Sequence, residues 1–167
     1  MIAPKTFSIL VAGLIALSQA AAAQVEVHVE PTALQTTRPL TDQSKAAVVR
    51  DYLNAWKGLQ AALEQNRPDL LDADFVGLAK DRLADTVHQQ AQLGIRTRYQ
   101  DRSHDLQILF YSPDGMSIEL ADKVEYDVQL IDHDKVISTQ RESARYLVVL
   151  APSEVRWRVR VFQSTHD

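Results

Sequence analysis

Apolar residues between positions 41 and 65 recur at steps of three and four, which is the spacing of one face of a helix. The stripe consists of Val49, Leu53, Trp56, Leu59 and Leu63, with Tyr52 beside it. Thr41 or Asp42 is placed to cap the start, and "NRP" at 66–68 stops the pattern, because the residue before a proline disfavours helical geometry. The pattern predicts one long helix that ends at this proline.

A second helical pattern occupies the segment from 69 to 94. Its apolar positions are Leu70, Leu71, Phe75, Leu78, Leu83, Val87 and Ala91. Gly94 is placed to end it, since glycine readily adopts the left-handed conformation that terminates many helices. The spacing predicts one short helix and one longer helix, with a bend near Gly77.

After Gly94 the apolar period changes to two, which is the period of a strand with one buried face. A turn at "SPDG" separates the first two strands. Four sets of positions are predicted to face inward: Leu106, Ile108 and Phe110; Met116, Ile118 and Leu120; Val124, Tyr126, Val128 and Leu130; Ala144, Tyr146, Val148 and Leu150. Helices followed by a meander of antiparallel strands indicate an α+β fold with the helices packed on one face of the sheet.

The last predicted strand, "VRWRVRVFQ" at 155–163, carries arginine at every second position. Alternation places on its buried face Val155, Trp157, Val159 and Val161. The side chains that then point away from the helices are Arg156, Arg158 and Arg160. Their expected partners are outward acidic residues of other strands, Glu119, Glu125 and Asp127, or other polar residues. Opposite-charge pairs of this kind contribute roughly 0.2 to 1 kcal/mol each. The stripe is therefore predicted to be a solvated sheet face, and a nucleic-acid-binding role ranks below that interpretation.

The layout of residues 41–163 resembles the nuclear transport factor 2-like superfamily, which includes ketosteroid isomerases and SnoaL-like proteins. The resemblance is carried by "YLNAWKGLQ" in the first helix, "DFVGLAKDRL" in the second helical segment, the antiparallel strands and the closing "VRWRVRVF". It implies a cone in which a curved sheet wraps the helices and leaves a pocket at the wide end. Because members include enzymes, ligand binders and assembly domains, it implies a fold and no particular activity.

Residues 1–23 have the three-part plan of a secretory signal peptide, with Lys5, an apolar run at 7–17 and small residues before Gln24. The pattern predicts cleavage after Ala23, with Ala20 as the alternative position, and export to the periplasm or the exterior. An uncleaved membrane anchor is the competing interpretation, although serines and a glutamine interrupt the apolar run.

The exported chain of about 144 residues is long enough for one ordinary domain. Residues 24–40 are predicted to form a tether or a weak edge strand, because Pro31 breaks a short alternation of valines. Residues 41–163 are predicted to form a single α+β domain, and 164–167 a C-terminal tail.

Composition excludes several kinds of chemistry. The chain contains no cysteine, which removes thiol catalysis, thiolate metal sites and lipid attachment at a cysteine. Its net charge of −4 disfavours nucleic-acid binding driven by net charge. The five histidines show no paired metal spacing, and "IDHDKV" around His133 is typical of a hairpin turn. No metal site and no cofactor are predicted.

An isomerase or lyase of the ketosteroid type needs an acid or base in an apolar pocket, opposite a hydrogen-bond donor. The inward strand positions are mostly aliphatic, and no aspartate or glutamate falls clearly among them. "YQDRSHDLQ" contains Asp101, His104 and Asp105 at the start of a strand, where they could reach the mouth of a pocket. A turn with local hydrogen bonds is the favoured interpretation there, so no catalytic residue is predicted.

Two sets of binding residues remain. The pocket candidates are Tyr52, Trp56, Tyr126 and Trp157, although large aromatic residues are more often core than ligand cage. The interface candidates on the outward sheet face are Leu109, Tyr111, Leu147, Val149 and Arg158. The sequence thus favours an exported, non-catalytic domain that forms a homodimer through its open sheet face, or binds an envelope protein or a small apolar ligand. The alternative is a small-molecule isomerase or lyase that uses the cone pocket.

Overall fold

The computed structural model describes residues 24–31 and 39–165 of the chain. Its elements, in chain order, are strand β1 (Glu26–Val29), helix α1 (Asp42–Gln65), a 3-10 turn (Pro68–Leu71), helix α2 (Gly77–Gln92) and strands β2 (Ile95–Tyr111), β3 (Ile118–Asp132), β4 (Lys135–Pro152) and β5 (Trp157–Thr165). The predicted signal peptide, residues 1–23, lies outside the described residues. Within the two described ranges, no helix is both long enough and apolar enough to cross a membrane.

Local signals at both ends determine the length of α1. The Thr41 hydroxyl accepts a hydrogen bond from the backbone N–H of Ser44 at 3.1 Å, which caps the first turn as predicted. At the other end Asn66 takes a left-handed conformation (φ 53°) and donates its N–H to the carbonyl of Ala62. The long first helix is confirmed.

The five strands form one sheet in the order β1-β2-β3-β4-β5. β2 to β5 pair as antiparallel neighbours, whereas β1 adds to the outer edge of β2 in a parallel direction. Both helices contact the sheet, α1 against β2 and β5 and α2 against the same two strands. The predicted α+β fold is therefore confirmed.

The hydrophobic core lies between the helices and the sheet. Its buried members include Val48, Tyr52, Ala55, Leu59 and Leu63 from α1, and Leu106, Ile108, Ile118, Leu120, Val148, Leu150 and Val159 from the strands. Phe75, in the connection between the helices, is 1% exposed and bridges to Val159 of β5. This link joins the connection between the helices to β5.

Extra residues in the strands reverse which side chains face inward. One of these residues in β2 is Leu109, which lies between Ile108 and Phe110, both of which pair with β3. Beyond it Tyr111 is buried at 6% exposure, while Phe110 is 45% exposed. The predictions that Tyr111 is outward and Phe110 inward were wrong, because a bulge sends every following side chain to the opposite face.

β5 contains a second register shift, at Arg160. Beyond it Phe162 packs against the core, and Val161 is 38% exposed. Val155 precedes the strand and is 80% exposed. The predicted burial of Val155 and Val161 was therefore wrong, whereas Val159, at 0% exposure, is buried as predicted.

Two arginines bind the segment that connects α1 to α2. Arg156 lies just before β5, and Arg158 lies within it. Arg156 Nη1 donates to Asp74 Oδ1 at 2.9 Å. Arg158 Nη2 donates to the backbone carbonyl of Phe75 at 3.1 Å and to that of Asp72. The prediction that Arg158 lies on the open sheet face was wrong, because carbonyl groups of this non-adjacent segment supply better partners than water does.

The predicted acidic partner Asp127 is occupied elsewhere. Its carboxylate accepts hydrogen bonds from Arg102 Nη2 at 2.7 Å and from Arg141 Nε at 3.0 Å. The hydrogen bond from Arg102 is the largest cause of a lowered pKa of Asp127, followed by that from Arg141. Asp127 thus pairs with arginines of β2 and β4, and the predicted pairing with β5 was wrong.

We expect Arg158→Ala to lower the free energy of unfolding by about 1 to 2 kcal/mol, because the substitution removes charged hydrogen bonds to two carbonyl groups. Arg160→Ala is the matched control. Arg160 is exposed on the same strand, and its loss should change stability by less than about 0.5 kcal/mol. Urea unfolding followed by circular dichroism measures both; equal midpoints for the two variants would contradict this assignment.

Candidate functional site

A buried ion cluster lies between α1 and strands β2 and β3. Asp122 of β3 is 0% exposed and His104 of β2 is 1% exposed. His104 Nδ1 lies 2.8 Å from Asp122 Oδ2, and the Tyr52 hydroxyl donates to the same oxygen at 2.6 Å. One carboxylate oxygen thus joins all three elements.

A bulge in β2 adds a second carboxylate to this cluster. The register slips between Asp101 and Ser103, so Asp101 and His104 both face inward although they are three residues apart. Asp101 Oδ2 lies 3.5 Å from His104 Nε2, and Asp101 Oδ1 accepts from Trp56 Nε1 at 2.9 Å. The imidazole ring therefore lies between two carboxylates.

Two predictions about these residues were wrong. The stretch with Asp101 and His104 is part of a continuous strand, because β1 and β3 pair with it on both sides and leave no turn. Asp122 is an inward acidic residue, whereas no aspartate or glutamate was predicted to fall clearly among the inward strand positions. The signal for it was present, since Asp122 falls in phase with buried Leu120 and Val124.

The two carboxylates determine the charge of His104. Burial by itself lowers the pKa of the imidazole, but the hydrogen bonds and charges of Asp101 and Asp122 outweigh it and raise the pKa to about 9. His104 is then an imidazolium at neutral pH. Burial, together with the neighbouring Asp122, raises the pKa of Tyr52 well above its usual value, so this phenol stays a hydrogen-bond donor.

Aromatic rings fill the space beside the cluster. The Trp56 ring is surrounded by five rings at centroid distances of 5.4 to 6.4 Å, those of Tyr99, His104, Tyr126, Tyr146 and Phe162. Burial raises the pKa of Tyr99 to about 12. The structure thus brings three pocket candidates, Tyr52, Trp56 and Tyr126, to one region as packed core.

The fourth pocket candidate, Trp157, does not join this group. It pairs with Pro152 at the far end of β4, and its backbone N–H donates to Asp51 Oδ2 at 2.9 Å. Its side chain packs against the main core near the helix connection. Alternation predicted that Trp157 faces inward, but only the position of β5 along β4 could show which end of the sheet it occupies.

Two of the cavities in the described part of the chain involve the candidate residues. One, of about 310 Å³, lies between α1, β1 and β2 and is lined by Val25, Val27, Leu53, Trp56, Lys57, Asp101 and His104. The other, of about 640 Å³, lies on the sheet face opposite the helices and is lined by Glu30, Asp105, Gln107, Leu109, Ala121, Lys123, Arg145, Tyr146, Leu147 and Thr165. Among the described residues, no three His, Cys, Asp or Glu side chains are placed to hold a metal ion.

Three of the interface candidates lie on this outer face. Leu109 is 40% exposed, and Leu147 and Val149 are half-buried on β4. Val161 of β5 pairs with Val149 and joins them, although the sequence reading had placed it in the core. The outer face therefore carries a group of apolar side chains that partly replaces the predicted set.

Comparison with known proteins identifies the fold. No family model matches the chain, and no curated protein matches its sequence. The intermembrane space region of chloroplast protein ARC6 superposes with a TM-score of 0.63 at 18% identity, over 77% of this chain and 100% of that one. A scytalone dehydratase-like protein of Novosphingobium aromaticivorans gives 0.53 at 13% identity, over 75% and 89%. ActVI-ORFA of Streptomyces coelicolor gives 0.50 at 16% identity, over 73% and 96%.

These similarities show that the chain has the nuclear transport factor 2-like fold, as its sequence layout predicted. At such identities they extend to the fold alone. The function of the fold in this protein depends on the protein's own site residues.

Proposed function

We propose that this chain is an exported, non-catalytic domain that acts by self-association through the outer face of its sheet. The leader-like residues 1–23 support export. The observation that carries the proposal is the group of apolar side chains on the sheet face opposite the described helices α1 and α2: Leu109, Ala121, Leu147, Val149 and Val161. Apolar groups of this kind, rimmed by charge, are typical of protein interfaces.

Strand register makes the apolar group continuous. Ala121 of β3 pairs with Leu147 of β4, and Val149 pairs with Val161 of β5. Directly paired side chains lie about 4.5 to 5.5 Å apart on one face of a sheet. With Leu109 of β2, the patch extends over four neighbouring strands, which gives a partner a broad apolar contact area.

The charges beside the patch favour a second copy of this chain as the partner. The cavity on this face has an acidic wall, Glu30 and Asp105, and a basic wall, Lys123 and Arg145. A two-fold axis through the interface places the acidic wall of one copy against the basic wall of the other. The surface is therefore self-complementary in charge as well as apolar.

The interior supports a non-catalytic role. Both nitrogens of His104 face carboxylates, and the ring is almost completely covered. A general base has to be unprotonated and within reach of its substrate, whereas the pKa of His104 is raised to about 9.

We expect Leu147→Glu to convert the self-associated mature protein into a monomer, because it places an unpaired charge in the centre of the contact. Sedimentation velocity at high micromolar concentration measures the change, with far-UV circular dichroism as the test of folding. Leu93→Glu is the matched control, since Leu93 is 73% exposed at the end of α2, away from this face. If the unsubstituted protein sediments as a monomer, the proposal is wrong.

One observation favours the alternative, an isomerase or lyase. The His104 imidazolium and Asp101 line the 310 Å³ cavity, where a charged imidazole could donate a proton to a leaving group. An enzyme of this kind would lose turnover in His104→Gln and would lose it above about pH 9. Self-association through the outer face would be unaffected by that substitution, which separates the two functions.

A further inference from the structure

The N-terminal strand β1 forms the outer wall of a cavity that the sheet and α1 alone would leave open. Val27 pairs directly with His104 in the parallel β1–β2 ladder. Val25 and Val27 line the cavity with part of each side chain and remain 39% and 40% exposed. The two valines of the β1 segment thus cover the cavity only in part, and it stays accessible from the β1 edge of the sheet.

The lining separates into an apolar part and a polar part. Val25, Val27, Leu53 and the Trp56 ring form the apolar part. A few fixed polar groups within mostly apolar walls are the usual composition of a small-molecule site. A volume of about 310 Å³ lies at the small end of the range for such sites.

The polar part consists of Lys57, Asp101 and His104. Asp101 is 91% buried and already accepts from Trp56 and faces His104. Lys57, on α1, has no hydrogen-bond or ion-pair partner within the described residues. The His104 imidazole is already flanked by two carboxylates, Asp101 and Asp122. Lys57 is therefore the cationic side chain of this lining that lacks an anionic partner among the described residues, and it can pair with one further anionic group.

We propose that this cavity binds a small molecule with an apolar body and a single carboxylate, the carboxylate at Lys57 and the body against the valines of β1. His104 adds no net positive charge there, because Asp101 and Asp122 flank its imidazole. The apolar body contacts Val25, Val27 and Leu53, where its burial supplies most of the binding free energy. This site is separate from the outer sheet face and does not depend on self-association.

Trp56 provides a direct reporter of binding. The chain contains two tryptophans, so the indole N–H region of a ¹⁵N-labelled sample shows one signal from the cavity and one from Trp157 as an internal control. Octanoate and 3-phenylpropanoate, an aliphatic and an aromatic carboxylate, are the probes. We expect one or both to shift the Trp56 signal in a saturable manner and to leave that of Trp157 unchanged. The carboxylate with the higher affinity then shows whether the cavity favours an aliphatic or an aromatic apolar body.

The requirement for a carboxylate is tested with octan-1-ol and octylamine. Both should bind on the order of five- to tenfold more weakly than octanoate, because they forgo the charged contact with Lys57. Lys57→Gln should weaken octanoate binding by a similar factor. Lys135→Gln, at an exposed hairpin position, should leave it within about twofold. Val27→Trp should abolish binding by filling the cavity.

Three results would each overturn the proposal. They are no saturable shift of the Trp56 signal with either carboxylate, equal binding of octanoate and octan-1-ol, and unchanged octanoate affinity in Lys57→Gln. If Val27→Trp does not fold, Lys57→Gln still tests the proposal. The Lys57 side chain is exposed, so its substitution should leave the fold intact. Sedimentation of Lys57→Gln should match that of the unsubstituted protein, so failure of the ligand site and failure of the sheet interface are distinguishable.

Discussion

Asp122→Ala is expected to lower the free energy of unfolding by about 3 to 5 kcal/mol, among the largest effects of any single substitution in this chain. The Asp122 carboxylate is 0% exposed and accepts from Tyr52 at 2.6 Å and faces His104 at 2.8 Å. Its removal leaves a buried phenol without an acceptor and a buried imidazolium with one carboxylate in place of two. Chemical unfolding in urea, followed by far-UV circular dichroism, measures the loss.

Asp85→Ala is the control for the loss of a carboxylate. Asp85 is exposed on α2, and its substitution should change the free energy of unfolding by less than about 0.5 kcal/mol. A loss below about 1 kcal/mol in Asp122→Ala would show that the buried cluster contributes little to stability. The proposal that His104 is held in the interior as a structural cation would then be wrong.

The second expected result is a loss of stability as the pH rises from about 6.5 to about 9, with a total of about 3 kcal/mol assigned to His104. The pKa of His104 is raised from 6.5 to about 9 in the folded protein. A raised pKa means that the folded state binds the proton more tightly, so the stabilisation is complete below about pH 6.5. It disappears as the imidazolium loses its proton near pH 9.

The groups that face this imidazole are Asp101 on its own strand, Asp122 on β3, and Tyr52 and Trp56 on α1. Other groups titrate over the same pH range, so the measured quantity is a difference between two proteins. The free energy of unfolding of the unsubstituted protein should fall more steeply between pH 6.5 and 9 than that of His104→Gln. Parallel curves for the two proteins would contradict a raised pKa of His104.

The ion cluster gives the core a fixed arrangement that apolar packing alone does not require. Tyr52 and Trp56 lie one helical turn apart on α1 and donate to carboxylates on two different strands, Asp122 on β3 and Asp101 on β2. Sliding the helix along the sheet would leave buried donors and acceptors unpaired, which costs more than the loss of an apolar contact. The cluster therefore determines the position of α1 on the sheet.

The binding candidates show which side-chain positions could be predicted from the sequence and which could not. Leu147 and Val149 were correctly placed on the outer face, because β4 alternates without interruption from 144 to 149. Tyr111 and Arg158 were misplaced for two different reasons. A bulge before Tyr111 reversed its direction, and carbonyl groups of the helix connection bind the side chain of Arg158. Neither bulges nor distant carbonyl partners have a reliable signature in a single sequence.

The sequence by itself determined the elements and the layers of this protein. Capping at Thr41, the proline at 68 and the change of apolar period after Gly94 are local signals, and local steric and hydrogen-bonding preferences are sufficient to read them. Only the tertiary structure decided that His104 lies between two carboxylates and that β1 closes a cavity beside it. Both depend on strand register across residues distant in the chain, and a shift of one residue moves a side chain to the opposite face without changing the local pattern.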